Sequence, residues 1–238
     1  METDSLSKIA KARLYPSITD PNYLVLRARR LIFSKWAREL QGEHLNVLDL
    51  GGRYQPYRPL LDGRIAHYVG VDLIKTEFVD VVADGEELPF APESFDLAIA
   101  TQVFDCFENP EAAAKNIWVA LKPGGILLAS FPAFVPQFAS AERWRFTRAG
   151  IQTLLAPFPM VEIIPELRSA GGLFRTINLA LERFVHYPIA RAIYRMTVCP
   201  MLNVLGLLAE ELNLTSNDQF TPNYSVRAEK PGVQNSKV

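Results

Sequence analysis

The chain has 238 residues, with 25 Lys+Arg against 26 Asp+Glu and a net charge of −1. Apolar types make up 49% and charged types 21%, a globular composition that excludes a disordered or fibrous chain. Near-neutrality also argues against a dedicated nucleic-acid binder, which carries a basic excess.

The charge is unevenly spread: residues 1–40 and 168–209 are basic, and the acidic groups concentrate between them. Such flanks are either solvated helix faces or a surface for an anionic partner. Cys106 and Cys199 have no metal-binding or redox spacing around them and are expected as free thiols of a reducing compartment. METDSLSKIA lacks the apolar stretch of a secretory signal, so the expected location is cytoplasmic. The uncharged run from Pro123 to Ala141 is broken by Pro132 and Pro136 and reads as turn, strand and loop.

In chain order, the first 20 residues are polar and read as a loose arm. Asp20-Pro21 signals a helix start, and Val25, Ala28, Ile32, Trp36 and Leu40 follow at helical spacing. Short apolar runs at 45–50, 67–73, 78–83, 95–101 and 125–131 predict strands. Asn109-Pro110 opens a helix with Ala113, Ala114, Ile117 and Leu121 on one stripe, and Pro123-Gly124-Gly125 stops it. Apolar strands separated by helices imply an α/β fold with a parallel sheet covered on both faces. Thr147 is placed to cap a helix over 148–156, and 160–165 reads as a sixth strand. Residues 173–214 are helical and apolar, broken at Pro188 and Pro200 into pieces too short to span a bilayer. A last strand is expected within 221–231 and a disordered tail from Gly232 to Val238. The expected organisation is an arm and helix over 1–42, a core over 43–170, a helical cap over 171–214, and a last strand with tail over 215–238.

The chemistry concentrates at the strand ends. VLDLGGRYQPY, 47–57, carries a strand into Asp49 and turns through Gly51-Gly52, where open α/β sheets bind ligands. Asp72 closes the next strand, and its carboxylate suits the vicinal diol of a ribose. Asp84-Gly85 follows the third strand, as a turn former or as a reader of an adenine edge. The first turn lacks G-x-G-x-x-G, which disfavours a nicotinamide dinucleotide, and an acid there would repel a diphosphate. It suits a cation instead, and S-adenosylmethionine carries an ammonium and a sulfonium.

VLDLGG (47–52), YVGVDL (68–73), ADGEELPF (83–90), ESFDLAIATQVFDCFENPEAA (93–113) and LKPGGILLASFP (121–132) together resemble class I S-adenosylmethionine-dependent methyltransferases of the type 11 kind. The resemblance covers roughly residues 40–170. It implies a Rossmann-like, seven-stranded, mostly parallel sheet whose last strand is antiparallel. It also implies that Asp49, Gly51 and Gly52 hold the amino-acid end of S-adenosylmethionine, and that Asp72, with Leu73 beside it, takes the ribose. Asp84 and Gly85 then take the adenine, while Thr101, Gln102 and Val103 line the cofactor. No metal is implied. The run Trp144-Arg145-Phe146-Thr147 resembles a subset tied to cell-surface polysaccharide and glycolipid pathways.

Against the family pattern D-x-G-x-G-x-G, Arg53 and Gln55 replace the second and third glycines. Arg53 is expected to turn away from the sulfonium, because like charges repel. The histidines that often follow the fourth strand or precede W-R-F-T are absent, so Asp105, Glu142 and His186 are the candidate bases. Glu142 has the plainer reading of pairing with Arg145, and His186 of a structural or interfacial role. Trp144 and Phe146 wall an acceptor pocket or pack as core, and Cys106 reads as a small buried filler. The expected function is methyl transfer, as O-methylation of a small-molecule, sugar or lipid-linked glycan acceptor. The alternative is a cofactor-binding protein that has lost catalysis. Arg175, Arg183, Arg191 and Arg195 make 173–214 a candidate lid with peripheral contact to the inner face of the membrane.

Overall fold

The computed structural model describes residues 2–137 and 139–232. The seven strands are β1 (Leu45–Leu50), β2 (Ile65–Asp72), β3 (Val81–Val82), β4 (Phe95–Thr101), β5 (Leu121–Pro132), β6 (Met160–Pro165) and β7 (Asn223–Glu229). They form one sheet in the order β3-β2-β1-β4-β5-β7-β6. The pairs β1–β2, β1–β4, β2–β3 and β4–β5 are parallel, and β7 is antiparallel to both β5 and β6. Chain order reverses between β1 and β4, which opens a crevice at their carboxyl ends.

Alternation along the strands gives the sheet two apolar faces. Leu48, Leu50, Ala98, Ala100, Leu127 and Ala129 pack on one side under α3 (Pro110–Ala120) and α4 (Arg148–Leu154). Val47, Leu97, Ile99, Ile126 and Leu128 pack on the other with Phe33 and Trp36 of α2 (Tyr23–Glu39). The capping signals act as expected. Asn109 Oδ1 accepts from Ala112 N at 3.1 Å, and Thr147 Oγ1 accepts from Gly150 N at 3.1 Å.

Several expectations are corrected. The supposed arm is largely a helix, α1 (Glu2–Leu14), whose Leu14 is buried beside Phe33 and Tyr57. Asp20 Oδ1 accepts from Asn22 N at 2.8 Å, so this turn precedes α2, whose cap position is Asn22. The third strand is only two residues long, because Thr76–Val79 forms a turn that brings Val79 N to Thr76 O. The buried stripe of α2 includes Arg29, a charge set among Leu24, Val25, Phe33 and Trp36.

Between β6 and β7 stand α5 (Ser169–Phe184), α6 (Pro188–Met196) and α7 (Val198–Glu211). Pro188 opens α6, as its fixed φ favours, but Pro200 sits inside the first turn of α7 and the break falls at Thr197. Taken across that break, Pro188–Glu211 is 24 residues and long and apolar enough to cross a membrane by length and composition, unlike the short pieces expected. Residues 233–238, where the tail was expected, lie outside the described residues.

Candidate cofactor and acceptor site

Gly51 turns the chain out of β1 at φ 77°, and a Cβ there would stand 3.1 Å from Val103. A Cβ on Gly52 would stand 2.5 Å from the Asp49 carbonyl oxygen. Both amides donate to Val71 O, at 2.8 and 3.1 Å, which ties the turn to the end of β2. Only glycine fits this backbone, and the floor of the crevice follows from it.

The two departures from the glycine pattern are solved differently. Gln55 adopts the left-handed backbone itself, at φ 47°. Its side chain is buried and held at both ends: Nε2 donates to Phe78 O at 2.5 Å and Oε1 accepts from Arg58 at 3.0 Å. Arg53 reaches across to Asp72, with Nε 3.3 Å from Oδ2. The guanidinium thus lies at the expected ribose acid. No helix follows the turn; a short 3₁₀ turn, Arg58–Leu61, takes its place. From α1, Arg13 stacks over the Tyr54 ring at 4.4 Å, so the N-terminal helix packs onto this loop.

Asp49 is buried and accepts a 2.6 Å hydrogen bond from the Tyr68 hydroxyl. Burial raises its pKa to about 7; Tyr68 works against the rise and the negative charge of Asp72 adds to it. Tyr68 is itself held well above its ordinary value by burial and by Asp49. Asp72 Oδ1 accepts from Ile74 N at 2.9 Å, and Leu73 between them is exposed. Asp84 accepts from Glu86 N at 3.0 Å, the turn-forming contact. Gly85 is buried, and a Cβ there would strike the Phe107 ring at 2.7 Å. Thr101 ends β4, and Gln102 follows at φ 52° with Nε2 donating to Ser130 Oγ at 2.9 Å. The structure therefore gathers Asp49, Gly51, Gly52, Asp72 and Val103 at the β1–β2–β4 end. It leaves Asp84 on the exposed lip and turns Gln102 toward β5.

Two neighbouring carboxylates over a glycine floor suit a ligand bearing a cation and a diol. The residues present fit S-adenosylmethionine once Arg53 releases Asp72.

The candidate bases separate clearly. Asp105 is buried, and its Oδ1 has no hydrogen-bond partner among the described residues. Burial raises its pKa, its own backbone amide opposes this, Glu142 adds to the rise, and Arg145 and Arg29 oppose it. Its carbonyl accepts from Arg143 N at 2.6 Å and Trp144 N at 3.2 Å, so the W-R-F-T segment lies across it. Glu142 pairs with Arg145 at 2.6 Å, as its plainer reading has it. His186 is exposed in the link before α6. Phe146 is core, 5.1 Å from the Phe131 ring, whereas Trp144 is exposed and donates to Phe107 O at 2.8 Å. Cys106 is exposed rather than buried, because the turn after β4 carries it outward while Phe104 and Phe107 point inward.

Sequence reasoning missed a buried polar cluster around Glu166. Glu166, just beyond β6, accepts from Arg29 Nε at 2.6 Å and from the hydroxyls of Ser130 and Ser225, each at 2.9 Å. Asn223 donates to the same carboxylate at 3.2 Å. Burial works to lower the Arg29 pKa, but Glu166 and Tyr57 together outweigh it and the net shift is upward. A charge within the apolar stripe of α2 was the available signal for this pair.

Residues 48–129 match the family described as a methyltransferase domain. A highly reducing polyketide synthase, pkhB, of Emericella nidulans is 33% identical over 75 residues, 31% of this chain. The chain spans 3% of the length of that curated relative. Among solved structures, the fold is similar to a complex that includes the Haloferax volcanii Trm112 methyltransferase activator (TM-score 0.55, 16% identity, covering 85% of this chain and 89% of that one). It is also similar to Haemonchus contortus phosphoethanolamine N-methyltransferase 2 in complex with S-adenosylmethionine (TM-score 0.51, 16% identity, covering 93% and 60%). Residues 48–129 are thus similar to a methyltransferase domain, and the Haemonchus contortus neighbour is one that holds S-adenosylmethionine.

Proposed function

We propose that this chain is an S-adenosylmethionine-dependent methyltransferase that O-methylates a small-molecule, sugar or lipid-linked glycan acceptor, with Asp105 as the general base. The observation that carries the reading is the buried Asp105 Oδ1, without a partner among the described residues, beyond the end of β4 and two residues after Val103, which packs on Gly51. An oxygen acceptor must lose its proton, and a buried carboxylate with a raised pKa is a stronger base than an exposed one. Asp72 holds the ribose hydroxyls, Asp49 and the Gly51-Gly52 turn hold the ammonium end, and Val103 walls the crevice. When bound, the cofactor supplies an already activated methyl group on a sulfonium. The protein's part is to align the acceptor, exclude water and take its proton. The W-R-F-T segment over Asp105 supports the polysaccharide and glycolipid subset, and two free cysteines suit a reducing, cytoplasmic location.

The test is transfer of labelled methyl from S-adenosylmethionine to the aqueous and lipid fractions of a cell extract, by wild type and by Asp105→Asn. Label incorporated equally by both proteins would remove Asp105 from the chemistry.

One observation favours a second reading, a cofactor-binding protein without catalysis: Arg53 already occupies Asp72. Calorimetry separates the cases, because binding of S-adenosylmethionine without turnover on any extract fraction supports the inert protein.

A further inference from the structure

Among the described residues, the buried side-chain atoms without a hydrogen-bond partner belong to Asp105, Arg175 and Asn223. The three come from different places: the turn after β4, the middle of α5 and the start of β7. All of them nevertheless adjoin the Arg29–Glu166 pair. Asn223 Nδ2 donates to Glu166, which leaves its Oδ1 over. Arg29 is among the charges that act on Asp105, and Glu166 and Arg29 are among those that act on Arg175. Unsatisfied buried polar atoms are rare in folded chains, so their gathering around one ion pair calls for a ligand with matching groups.

Arg175 decides which ligand. Expected at the margin of a membrane-facing lid, it is instead 3% exposed, between α5 and the start of α2. Its Nη2 donates to Asn22 Oδ1 at 2.9 Å, while Nε and Nη1 have no partner among the described residues. Counter-charge is short as well. Glu166 is already bonded to Arg29, Ser130, Ser225 and Asn223, and Asp20 acts on Arg175 without a hydrogen bond to it. Burial lowers the Arg175 pKa to about 10, Glu166 opposes this, Arg29 adds to it and Asp20 opposes it, so the group is still a cation at neutral pH. A buried guanidinium held by one amide is costly, and a Met of similar length would fill the space with no orphaned donor. Packing alone therefore does not account for an arginine here. Asn22 is only half-buried, so the guanidinium lies one side chain below the surface.

We propose that Arg175 binds an anionic group of the methyl acceptor, a carboxylate or a phosphate monoester, while the hydroxyl to be methylated lies at Asp105. The proposal rests on the methyl-transfer reading above and narrows its acceptor to hydroxylated acids, such as a sugar acid or a sugar phosphate. Each orphaned group then has a use. The free N–H groups of Arg175 donate to the acid oxygens, the strong charge-assisted kind of hydrogen bond. Asn223 Oδ1 accepts from a second hydroxyl of the same molecule, and Asp105 Oδ1 accepts from the reacting one. Arg29 does not compete for the acid, because Glu166 holds it at 2.6 Å.

Thermal unfolding of the full chain tests this, with inorganic phosphate, D-glucuronate or neutral D-glucose added to chloride buffer at matched ionic strength. Phosphate or glucuronate should raise the wild-type midpoint and glucose should not, and which of the two acids acts tells a phosphate from a carboxylate. Arg175→Met keeps the bulk and removes the cation. It should be more stable than wild type in chloride, because an unpaired buried charge is gone, and should bind either acid about tenfold or more weakly. Methyl label transferred to a cell extract by wild type should be retained on an anion exchanger. Four results overturn the proposal. They are no rise in wild type with either acid, a rise shared by Arg175→Met as a bulk salt effect, an Arg175→Met chain less stable than wild type in chloride, and label confined to neutral products. The acid responses are read without methyl transfer, so failure of this site and failure of the transfer reading are told apart.

Discussion

The Arg53 guanidinium sits 3.3 Å from Asp72 Oδ2, so a cation from the first turn holds the acid that closes β2. Arg53 stands where the family pattern has a glycine, and its direction toward Asp72 keeps its charge on the ribose side. On the proposed reading, cofactor binding exchanges this ion pair for hydrogen bonds to the ribose hydroxyls. Asp72→Ala should weaken S-adenosylmethionine binding by about 1.5–3 kcal/mol, the scale of a lost hydrogen bond to a charged group. Arg53→Ala should bind at least as tightly as wild type, because the competing partner is gone. Calorimetry on both variants checks the pair. Abolished binding in Arg53→Ala would make the guanidinium a cofactor ligand instead.

Asp49 sets a pH dependence. Its folded pKa is raised to about 7, above the ordinary carboxylate value, so below that pH the ligand-free protein holds a proton there that the unfolded chain lacks. The stability contributed by protonated Asp49 is present at low pH and is lost as pH rises from about 4 to about 7. A cationic ligand favours the ionised form, so binding expels the proton below pH 7. S-adenosylmethionine affinity should therefore rise with pH, by up to about tenfold per pH unit, and level off above about pH 7. Calorimetry in buffers of different ionisation enthalpy reads the released proton directly. A flat affinity profile across that range would show that Asp49 does not face the ligand.

Most of the sheet was legible because its strands are short, largely apolar runs between turn signals; the reading placed β1, β4 and β6 at their observed bounds. β3 was overestimated because Phe78 and Val79 are apolar for packing in a turn, which looks the same as a strand over a few residues. α1 was missed because a polar helix shows little periodicity, and its hold on the domain comes from Leu14 and from Arg13 over Tyr54. The crevice acids were legible from their positions at strand ends. Tyr68 and Glu166 were not, because each acquires its role from a partner distant in sequence: Asp49 in one case and Arg29, 137 positions away, in the other.

That distant pair sets a stability prediction. Arg29 and Glu166 are both buried, and Glu166 also receives Ser130, Ser225 and Asn223. Arg29→Met removes the cation and leaves a carboxylate in the interior with neutral donors only. The expected loss is about 3–5 kcal/mol, the range for breaking a buried ion pair by removing one partner. Denaturant unfolding of wild type and variant measures it. A loss under about 1 kcal/mol would mean that the hydroxyls and Asn223 alone satisfy Glu166.

Asp105 carries the sharpest test of the chemistry. It is buried beneath Arg143 and Trp144, its Oδ1 has no partner among the described residues, and burial raises its pKa. A base of this kind acts only when ionised, so kcat/KM should rise with pH through a pKa above the ordinary carboxylate range and then level. Asp105→Asn keeps the shape and removes the proton acceptor. With a labelled acceptor isolated from extract, kcat should fall by about 10²–10⁴ while S-adenosylmethionine affinity stays at the wild-type value. Asp105→Glu keeps a carboxylate on a longer stem and should retain part of the rate, which a purely structural role in the 143–144 turn would not explain. The backbone bonds from Arg143 and Trp144 use the Asp105 carbonyl, so neither variant removes them. A wild-type pH profile in Asp105→Asn would assign the proton to another group. An equal loss of cofactor binding and rate would show that the substitution disturbs the crevice rather than the transfer.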